Sequence, residues 1–251
     1  STFTYKTNKQ WEGKLIKYEL DTEGENATGK IKKEVWEAGK KLNNKSPDNR
    51  NIWTIGYGLT STKGTPDSYN NFTTANVAYL YKPMFEGTQQ TSADAETFIS
   101  FIRGYDKYDT DKDATTDTRH KLADIFHSEI TIVKLPNIKP NEILEEISNT
   151  EAAYRKANGY EGFKSKSLSG GKTVGNRKEI VLVGSNAGML HAFDTTDGEE
   201  LWAFIPPNMI PQLKDMRSDI ANTSNSISGV DGSPVVKAIY YDHDDDGTKE
   251  W

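Results

Sequence analysis

An acidic loop near the end of the chain carries the clearest chemical signal. Residues 242–250 read DHDDDGTKE, which contains the D-x-D-x-D-G arrangement of the first half of a calcium-binding loop. Ca²⁺ prefers about six to eight oxygen ligands, and carboxylates at alternating positions can curl around one ion when a glycine such as Gly247 permits the sharp turn. The alternative is a solvated hairpin tip. The predicted calcium ligands are Asp242, Asp244, Asp246, Thr248 (through its backbone carbonyl) and Glu250.

A second acidic stretch, YDTDKDATTD at residues 108–117, repeats the alternation of carboxylates. Asp106 and Asp117 lie nearby, but Ala114 stands where a calcium loop requires glycine. The alternative here is a charged, solvent-exposed loop. The second predicted calcium site consists of Asp109, Asp111 and Asp113.

The histidines do not form a recognisable catalytic motif. His120 and His127 are seven residues apart and His191 stands alone, so none has the spacing of a zinc protease. Asp124, His127 and Ser128 lie too close in sequence for the geometry of a Ser-His-Asp triad. We therefore predict hydrogen-bonded structural histidines.

Residues 181–206 are the element around which the rest of the chain is organised. Short apolar runs alternate with the glycine-containing turns at Gly188 and Gly198, which predicts an up-down-up antiparallel meander. Trp202 suits the large aromatic that a propeller blade wedges against its neighbour. The three predicted strands are 181–183, 189–193 and 201–205.

The same pattern occurs near the N-terminus. A Gly-x-Leu-x-x-aromatic core begins at Gly13 and again at Gly188, and each copy continues through an acidic turn to a glycine and then a tryptophan. Recurring glycine and aromatic positions on short strands indicate propeller blades. The paired closing positions are Gly29 and Trp36 in the first copy and Gly198 and Trp202 in the second.

The predicted fold class is mainly β, a partial or modified β-propeller with helical and loop insertions at about 61–118 and 136–177. The best helical window is 91–103, which Ser92 can cap and Gly104 ends. No signal peptide begins the chain, so residues 1–251 are expected to be the N-terminal portion of a propeller domain in a longer protein. A second helix is predicted at 142–158, and further strands at 11–20, 51–57, 130–135 and 235–241.

The composition of the chain argues against several classes of partner and site. The formal charge of −6 and the lack of a basic patch argue against nucleic acid. The absence of cysteine excludes disulfides and thiolate metal sites. No apolar run approaches the roughly 20 residues that a membrane-spanning helix needs.

Five segments, in this order, resemble the C-terminal propeller of the PilY family, whose members are type IV pilus biogenesis factors and tip adhesins. The resemblance covers most of the chain. The segments are FIRG at 101–104, R-x-KLADIFHS at 119–128, VGSNAGMLHAFD at 183–194, ELWAFIP at 200–206 and VDGSP at 230–234.

The resemblance implies a non-enzymatic protein displayed at the pilus tip or cell surface of a Gram-negative-type bacterium and exported through the periplasm. It implies partners among pilins or minor pilins and host-surface receptors, and a part in pilus assembly, twitching motility and adhesion. It also implies a calcium loop that tunes retraction. The family places carboxylates at positions one, three, five and nine of that loop, which Asp242, Asp244, Asp246 and Glu250 match here.

Two alternatives remain open. The sequence GMLHAFD followed by GEELW also resembles quinoprotein blades, which would make the chain a fragment of a dehydrogenase. A lectin-like module using exposed aromatics is the other. Against that reading, blade packing is the predicted role of Trp11, Trp36, Trp53 and Trp202.

Overall fold

The computed structural model divides the chain into two compact units. Unit 1 comprises Ser1–Thr131 and Val181–Pro234, and unit 2 comprises Ile132–Ile180 and Val235–Trp251. The structure describes residues 2–7, 9–23, 27–56, 58–59, 70–85, 87–115, 117–139, 145–218, 223–242 and 246–251.

Eleven strands and six α-helices are assigned among the described residues, joined by short 3₁₀ turns. The strands are β1 (Thr2–Thr4), β2 (Glu12–Lys14), β3 (Ile16–Leu20), β4 (Ile31–Glu37), β5 (Ile52–Trp53), β6 (Thr131–Val133), β7 (Ser167–Leu168), β8 (Lys172–Thr173), β9 (Ile180–Ser185), β10 (Met189–Asp194) and β11 (Glu200–Phe204). The helices are α1 (Ala38–Asn44), α2 (Val77–Phe85), α3 (Ser92–Arg103), α4 (Glu145–Ala157), α5 (Tyr160–Lys164) and α6 (Ile210–Leu213).

The predicted meander is confirmed as β9, β10 and β11. Its two turns contain glycines in the left-handed region, Gly188 with φ 74° and Gly198 with φ 77°, a conformation that glycine adopts without steric cost. The meander forms the centre of a five-stranded sheet with the order β5–β11–β10–β9–β6. β10 and β11 are antiparallel, whereas β11 and β5 are parallel.

The larger core lies around α2, α3 and α6. Phe98, Ile99 and Ile102 share one face of α3, as the helical spacing predicts, and all three are fully buried. The predicted cap at Ser92 is wrong by one residue, because Thr91 and Asp94 form a reciprocal capping box at the start of this helix. Gly104, with φ 123°, ends the helix as predicted.

A second core joins the N-terminal strands to the meander and includes Leu15, Trp36, Val183 and Phe193. The Trp36 indole nitrogen donates to the carbonyl of Thr195 at 3.1 Å, and its ring lies against Gly198, where an added Cβ would come within 2.8 Å of ring carbons. A tryptophan does wedge against the meander, but it is Trp36. Trp202 is only half-buried and meets Trp53, with ring centroids 6.3 Å apart.

Unit 2 is held together by a small aromatic cluster around Trp251. The ring of Tyr160 lies 4.8 Å from that indole and the ring of Tyr240 lies 5.2 Å from it, measured between centroids. The indole nitrogen donates to the carbonyl of Asn158 at 2.9 Å. These contacts link α4 and α5 to the last segment of the chain.

Several predicted features need correction. Helices account for 30% and strands for 23% of the described residues, so the chain is a mixed α and β structure and not a mainly β one, and the described residues form no closed barrel or propeller. Of the strand predicted at 51–57, only Ile52–Trp53 (β5) is a strand in the structure. The predicted strand at 235–241 is absent, because a strand needs a ladder partner and only Tyr241 forms a bridge, to Glu250, within the described part of this segment. Val235 is 87% exposed as a result.

None of the helices in the described ranges is both long enough and apolar enough to cross a membrane.

Candidate metal centre

The 242–250 loop is a tight acidic turn in the residues that the structure describes. The carboxylate of Asp242 accepts hydrogen bonds from the backbone of Asp246 (3.1 Å) and of Gly247 (2.7 Å), while Oδ1 of Asp246 accepts from the backbone of Thr248 (2.7 Å). Gly247 takes φ 87°, the left-handed turn expected at the sixth position. The loop therefore curls around the carboxylate of Asp242, while Asp244 lies outside the described residues.

Glu250 has a competing partner. Its carboxylate forms an ion pair with the ammonium of Lys166, which also donates to the carbonyl of Trp251 at 3.3 Å. The backbones of Glu250 and Tyr241 exchange two hydrogen bonds of 3.0 Å each, and these close the base of the loop. A cation in this loop would compete with Lys166 for the carboxylate, so a ligand role for Glu250 stays a prediction.

The second predicted site brings its three residues together. One carboxylate oxygen from each of Asp109, Asp111 and Asp113 lies within 4.8 Å of the other two. The backbone winds tightly here, because Asp109 (φ 49°), Lys112 (φ 67°) and Ala114 (φ 63°) all take left-handed conformations. Ala114 thus adopts the conformation for which a calcium loop uses glycine, at a cost of roughly 1–2 kcal/mol for an L-residue.

The same loop contains a second triple that the alternating spacing did not reveal. One carboxylate oxygen from each of Asp106, Asp111 and Asp117 also lies within 4.8 Å of the others. The backbone of Asp106 donates to the carbonyl of Asp117 at 3.0 Å, which brings the two ends of the loop together. Only the clustering of carboxylates just after α3 signals this set in the sequence, since its spacing matches no calcium motif.

Electrostatics differ between the carboxylates of this loop. Partial desolvation, followed by the nearby charges of Asp113, Asp111 and Asp106, raises the pKa of Asp117. Hydrogen bonds from the hydroxyl and the backbone of Thr115 lower the pKa of Asp113. Asp117 therefore carries the repulsion that a bound cation would relieve.

A buried polar network, missed by sequence reasoning, crosses the meander. The hydroxyl of Ser185 lies 2.9 Å from Nε2 of His191, and Nδ1 of His191 lies 2.9 Å from Oε1 of Glu200. The guanidinium of Arg50 clasps Glu200 through two hydrogen bonds of 2.8 Å. The order serine, histidine, carboxylate matches that of a catalytic triad.

The surroundings make this network structural. The side chains of Arg50, His191 and Glu200 are fully buried and Ser185 is only 1% exposed, so this serine is not open to a substrate from solvent. Burial lowers the pKa of His191, so its ring is neutral. Burial alone would raise the pKa of Glu200, but the charge of Arg50 and the hydrogen bonds from Arg50 and His191 outweigh it and hold that pKa far below its usual value.

His120 and His127, the other two histidines that the structure describes, are hydrogen-bonded as predicted. His120 hydrogen-bonds Asn43 and the carbonyl of Gly13, and Nδ1 of His127 lies 2.5 Å from the carboxylate of Asp231. Ser128 accepts a hydrogen bond from the backbone of Gly184 instead of facing His127, so the local triad is not formed.

Comparison with known proteins gives one consistent relationship. The chain is 27% identical over 243 residues, 95% of its length, to the type IV pilus biogenesis factor PilY1 of Pseudomonas aeruginosa strain UCBPP-PA14. It is 34% identical over 92 residues, 37% of its length, to a PilY1 homolog of Xylella fastidiosa strain Temecula1. The chain spans only 19% of the first relative and 6% of the second. No family model and no solved structure matches it.

Proposed function

Because the chain is related to the PilY family, we propose that it serves the type IV pilus machinery as a non-enzymatic biogenesis factor. The observation that carries the proposal is the 27% identity that extends over 95% of the chain. A match that extends over 95% of the chain is not confined to one short motif. Since the chain spans a fifth or less of these relatives, the role is proposed for the protein to which it belongs.

The finer parts of the proposal concern place and partners. The protein acts outside the cell, at the pilus tip or cell surface, after export through the periplasm. It contacts pilins or minor pilins during assembly and supports twitching motility and adhesion to host-surface receptors. The β9–β11 meander, with glycines at both turns, is proposed as one blade of a β-propeller that the whole protein completes.

Calcium is proposed to modulate this role through the 242–250 loop. Asp242 and Asp246 already fold the loop into the curl that such sites use, and Gly247 supplies the required backbone conformation. Ca²⁺ binding would draw Glu250 away from Lys166 and so couple the ion to the surroundings of the loop.

The non-enzymatic part of the proposal is supported by the burial of the Ser185–His191–Glu200 network. The competing quinoprotein interpretation predicts a quinone chromophore after incubation of the purified protein with the cofactor and Ca²⁺. A stable absorption band with dye-linked alcohol oxidation would favour that interpretation over ours.

Gene deletion tests the pilus role. We expect a deletion strain to release no pili when its cell surface is sheared and to form no twitching zones. The wild-type gene should restore both. Phe193→Ala, which empties a fully buried core position, should fail to restore them, whereas Tyr18→Ala, at a 42% exposed position, should succeed. Normal piliation and twitching in the deletion strain would contradict the proposal.

A complemented strain carrying Asp242→Asn and Asp246→Asn tests separately the proposal that Ca²⁺ acts through the 242–250 loop. It should make pili normally but twitch to the same extent with and without added Ca²⁺. A calcium response equal to that of wild type would rule out this loop as the sensor while leaving the pilus role intact.

An exposed aromatic cluster favours glycan binding as a second candidate function. Phe3 stacks on Trp11 with centroids 5.2 Å apart, and Tyr5 and Phe126 meet these rings edge-on. Tyr5 is 63% and Phe126 57% exposed. Aromatic faces beside polar groups suit sugar rings, and the His127–Asp231 pair adjoins Phe126.

A glycan array with purified protein tests this second candidate. Binding that disappears in Tyr5→Ala and Phe126→Ala, but persists in Tyr18→Ala, would support it. Tyr18 is an exposed tyrosine to which no aromatic neighbour is assigned within the described ranges, so it controls for a general loss of surface aromatics. A wild-type protein that binds no glycan on the array would remove the candidate.

A further inference from the structure

The 106–117 loop offers carboxylate oxygens that one ion can share. In proteins Ca²⁺ lies about 2.3–2.6 Å from its oxygen ligands, so two oxygens on the same ion are separated by at most about 5 Å. One oxygen from each of Asp106, Asp111 and Asp117 lies within 4.8 Å of the other two. The distances therefore allow all three carboxylates to contact one calcium ion.

Asp106 gives this cluster a buried anchor. The residue is only 1% exposed. Its Oδ2 accepts from the backbone (2.8 Å) and the hydroxyl (2.7 Å) of Thr110, but its Oδ1 has no hydrogen-bond partner among the described residues. Buried carboxylate oxygens are nearly always satisfied in native proteins, because an unpaired one loses its hydration without compensation. The unpaired Oδ1 therefore points to a ligand that the protein binds.

Arg119 does not fill this role. Arg119 lines the same cavity, but its guanidinium donates to the carbonyl of Phe101 (2.9 Å), to Oε1 of Gln10 (2.8 Å) and to the carbonyl of His120 (3.0 Å). Its charge offsets part of the charge of Asp106 at a distance. The Oδ1 atom is left for another positive group.

A polar cavity beside the cluster can hold the rest of a coordination shell. It has a volume of about 170 Å³, and Asp106, Thr110, Asp111 and Thr118 form part of its wall. A water molecule takes about 30 Å³, so several waters fit. Nε2 of Gln10, a second buried atom without a partner in the described part of the chain, also belongs to a residue that lines this cavity, and such a water can accept its hydrogen bond.

We propose that Asp106, Asp111 and Asp117 bind a calcium ion, with water in the adjoining cavity completing the shell. Asp109 and Asp113 are the poorer ligands. One oxygen of Asp109 accepts from the backbone of Ala114 (3.1 Å), and one oxygen of Asp113 accepts two hydrogen bonds from Thr115 (both 2.8 Å). The ion thereby links the exposed Asp111 and Asp117 to the buried Asp106 near the end of α3. This site does not depend on the pilus role or on the 242–250 loop.

The test uses two matched single substitutions in the full chain. Asp117→Asn removes a charge from the proposed triple, and Asp113→Asn removes the same charge from the alternative triple of Asp109, Asp111 and Asp113. All proteins carry Asp242→Asn and Asp246→Asn, so that the other acidic loop does not contribute. Calcium is titrated by isothermal calorimetry at constant ionic strength, with circular dichroism to establish that each variant is folded.

We expect one binding event in the parent protein. Asp117→Asn should weaken it at least about tenfold, the lower end of what a lost supporting contact costs at metal sites, and Asp113→Asn by less than about threefold. Asp106→Asn is a second removal of the proposed triple and should also weaken binding at least about tenfold. The proposal is overturned if the parent binds no Ca²⁺, if Asp113→Asn weakens binding as much as Asp117→Asn, or if neither Asp117→Asn nor Asp106→Asn changes it.

Discussion

The two copies of the Gly-x-Leu-x-x-aromatic pattern fold into similar hairpins that bury opposite positions. Leu15 of the first copy is buried, while the equivalent Leu190 is half-buried. Tyr18 is exposed, while the equivalent Phe193 is fully buried. The pattern therefore specifies strands and turns, but it does not specify which side chains enter a core.

The backbones of the two copies agree only in part. The register shifts between Lys17 and Tyr18 in the first copy and between Ala192 and Phe193 in the second, which are equivalent steps of the pattern, but the first copy has a further shift between Glu19 and Leu20. The neighbouring strands differ as well. β3 and β4 form a two-stranded sheet, whereas β10 lies between β9 and β11 inside a five-stranded sheet. Burial follows the tertiary partners, as strand propensities measured in different contexts also do.

The largest difference between the two copies is expected when their aromatic residues, Phe193 and Tyr18, are replaced. Phe193→Ala should lower the free energy of unfolding by about 3–5 kcal/mol, because it empties a fully buried site. Tyr18→Ala should cost less than about 1 kcal/mol, since most surface substitutions are mild. Urea denaturation of both variants measures the difference, and equal losses would mean that the first copy packs on a surface of its own.

At the leucine position the first copy, and not the second, should lose more stability on substitution. Leu15→Ala is expected to cost about 2–5 kcal/mol, because Leu15 is 2% exposed within the second core. Leu190→Ala, at a half-buried position, should cost clearly less. Thermal melts followed by circular dichroism rank the two variants, and a larger loss for Leu190→Ala would mean that Leu190, and not Leu15, is the more deeply buried leucine.

The closing glycines sharpen the comparison further. Gly29 and Gly198 both have left-handed backbones, with φ of 67° and 77°, so alanine costs roughly 1–2 kcal/mol of strain at each. Gly198→Ala adds a collision with the ring of Trp36, which we expect to cost a further 1–3 kcal/mol or so, whereas an added Cβ at Gly29 meets no atom of the described residues within 4 Å. Similar denaturation midpoints for the two variants would show that Trp36 moves aside freely.

Acid sensitivity gives the smallest expected effect and should come from the second copy. The pKa of His191 is lowered below 6.5 in the folded protein, so its contribution is present above that pH and is lost as the pH falls, when unfolding allows it to take up a proton. The pKa of Glu200 is also lowered, from 4.5, so its contribution is lost only at still lower pH. The first copy has the non-titrating Ile16 where the second has His191.

Unfolding free energies measured between pH 7.5 and 5 test this origin. Wild type should lose up to about 1.4 kcal/mol per pH unit below pH 6.5 through this one proton, and His191→Asn should show a flatter profile. The control is Glu19→Gln in the first copy, a half-buried carboxylate whose pKa is lowered by hydrogen bonds from Lys32 and Lys33 and which should leave the slope unchanged. A slope that persists in His191→Asn would place the titrating group elsewhere.

Local signals in the sequence predicted local structure well. The meander, the helix ending at Gly104 and the left-handed glycines follow from apolar spacing and turn chemistry. The burial of α3 turned a modest predicted insertion into a major part of the larger core, because its apolar face packs against α2, which in turn contacts α6. The strand expected at 235–241 failed for the complementary reason: apolar, β-branched residues favour a strand but do not provide its partner.

The candidate sites likewise divide into features that local sequence predicts and features that depend on residues far apart in the chain. Alternating aspartates predicted the Asp109, Asp111 and Asp113 cluster, which the structure does bring together. Asp106 and Asp117 escaped prediction as ligands because they meet through the closing of a loop and not through a fixed spacing. The network of Arg50, His191 and Glu200 joins residues up to 150 positions apart, a distance over which no local pattern operates.

The parallel pairing of β5 with β11 has a consequence for synthesis. Thr54 donates its hydroxyl proton to the carbonyl of Ile205, 151 residues later, and Ile52 and Trp53 find their ladder partners only at Ala203 and Phe204. Synthesis must therefore continue for 151 residues beyond Thr54 before this side of the sheet can form, and contacts of such long range are slow to close. Until then the nascent chain presents an unpaired edge, which makes this the stage at which chaperones in the cell have most to protect.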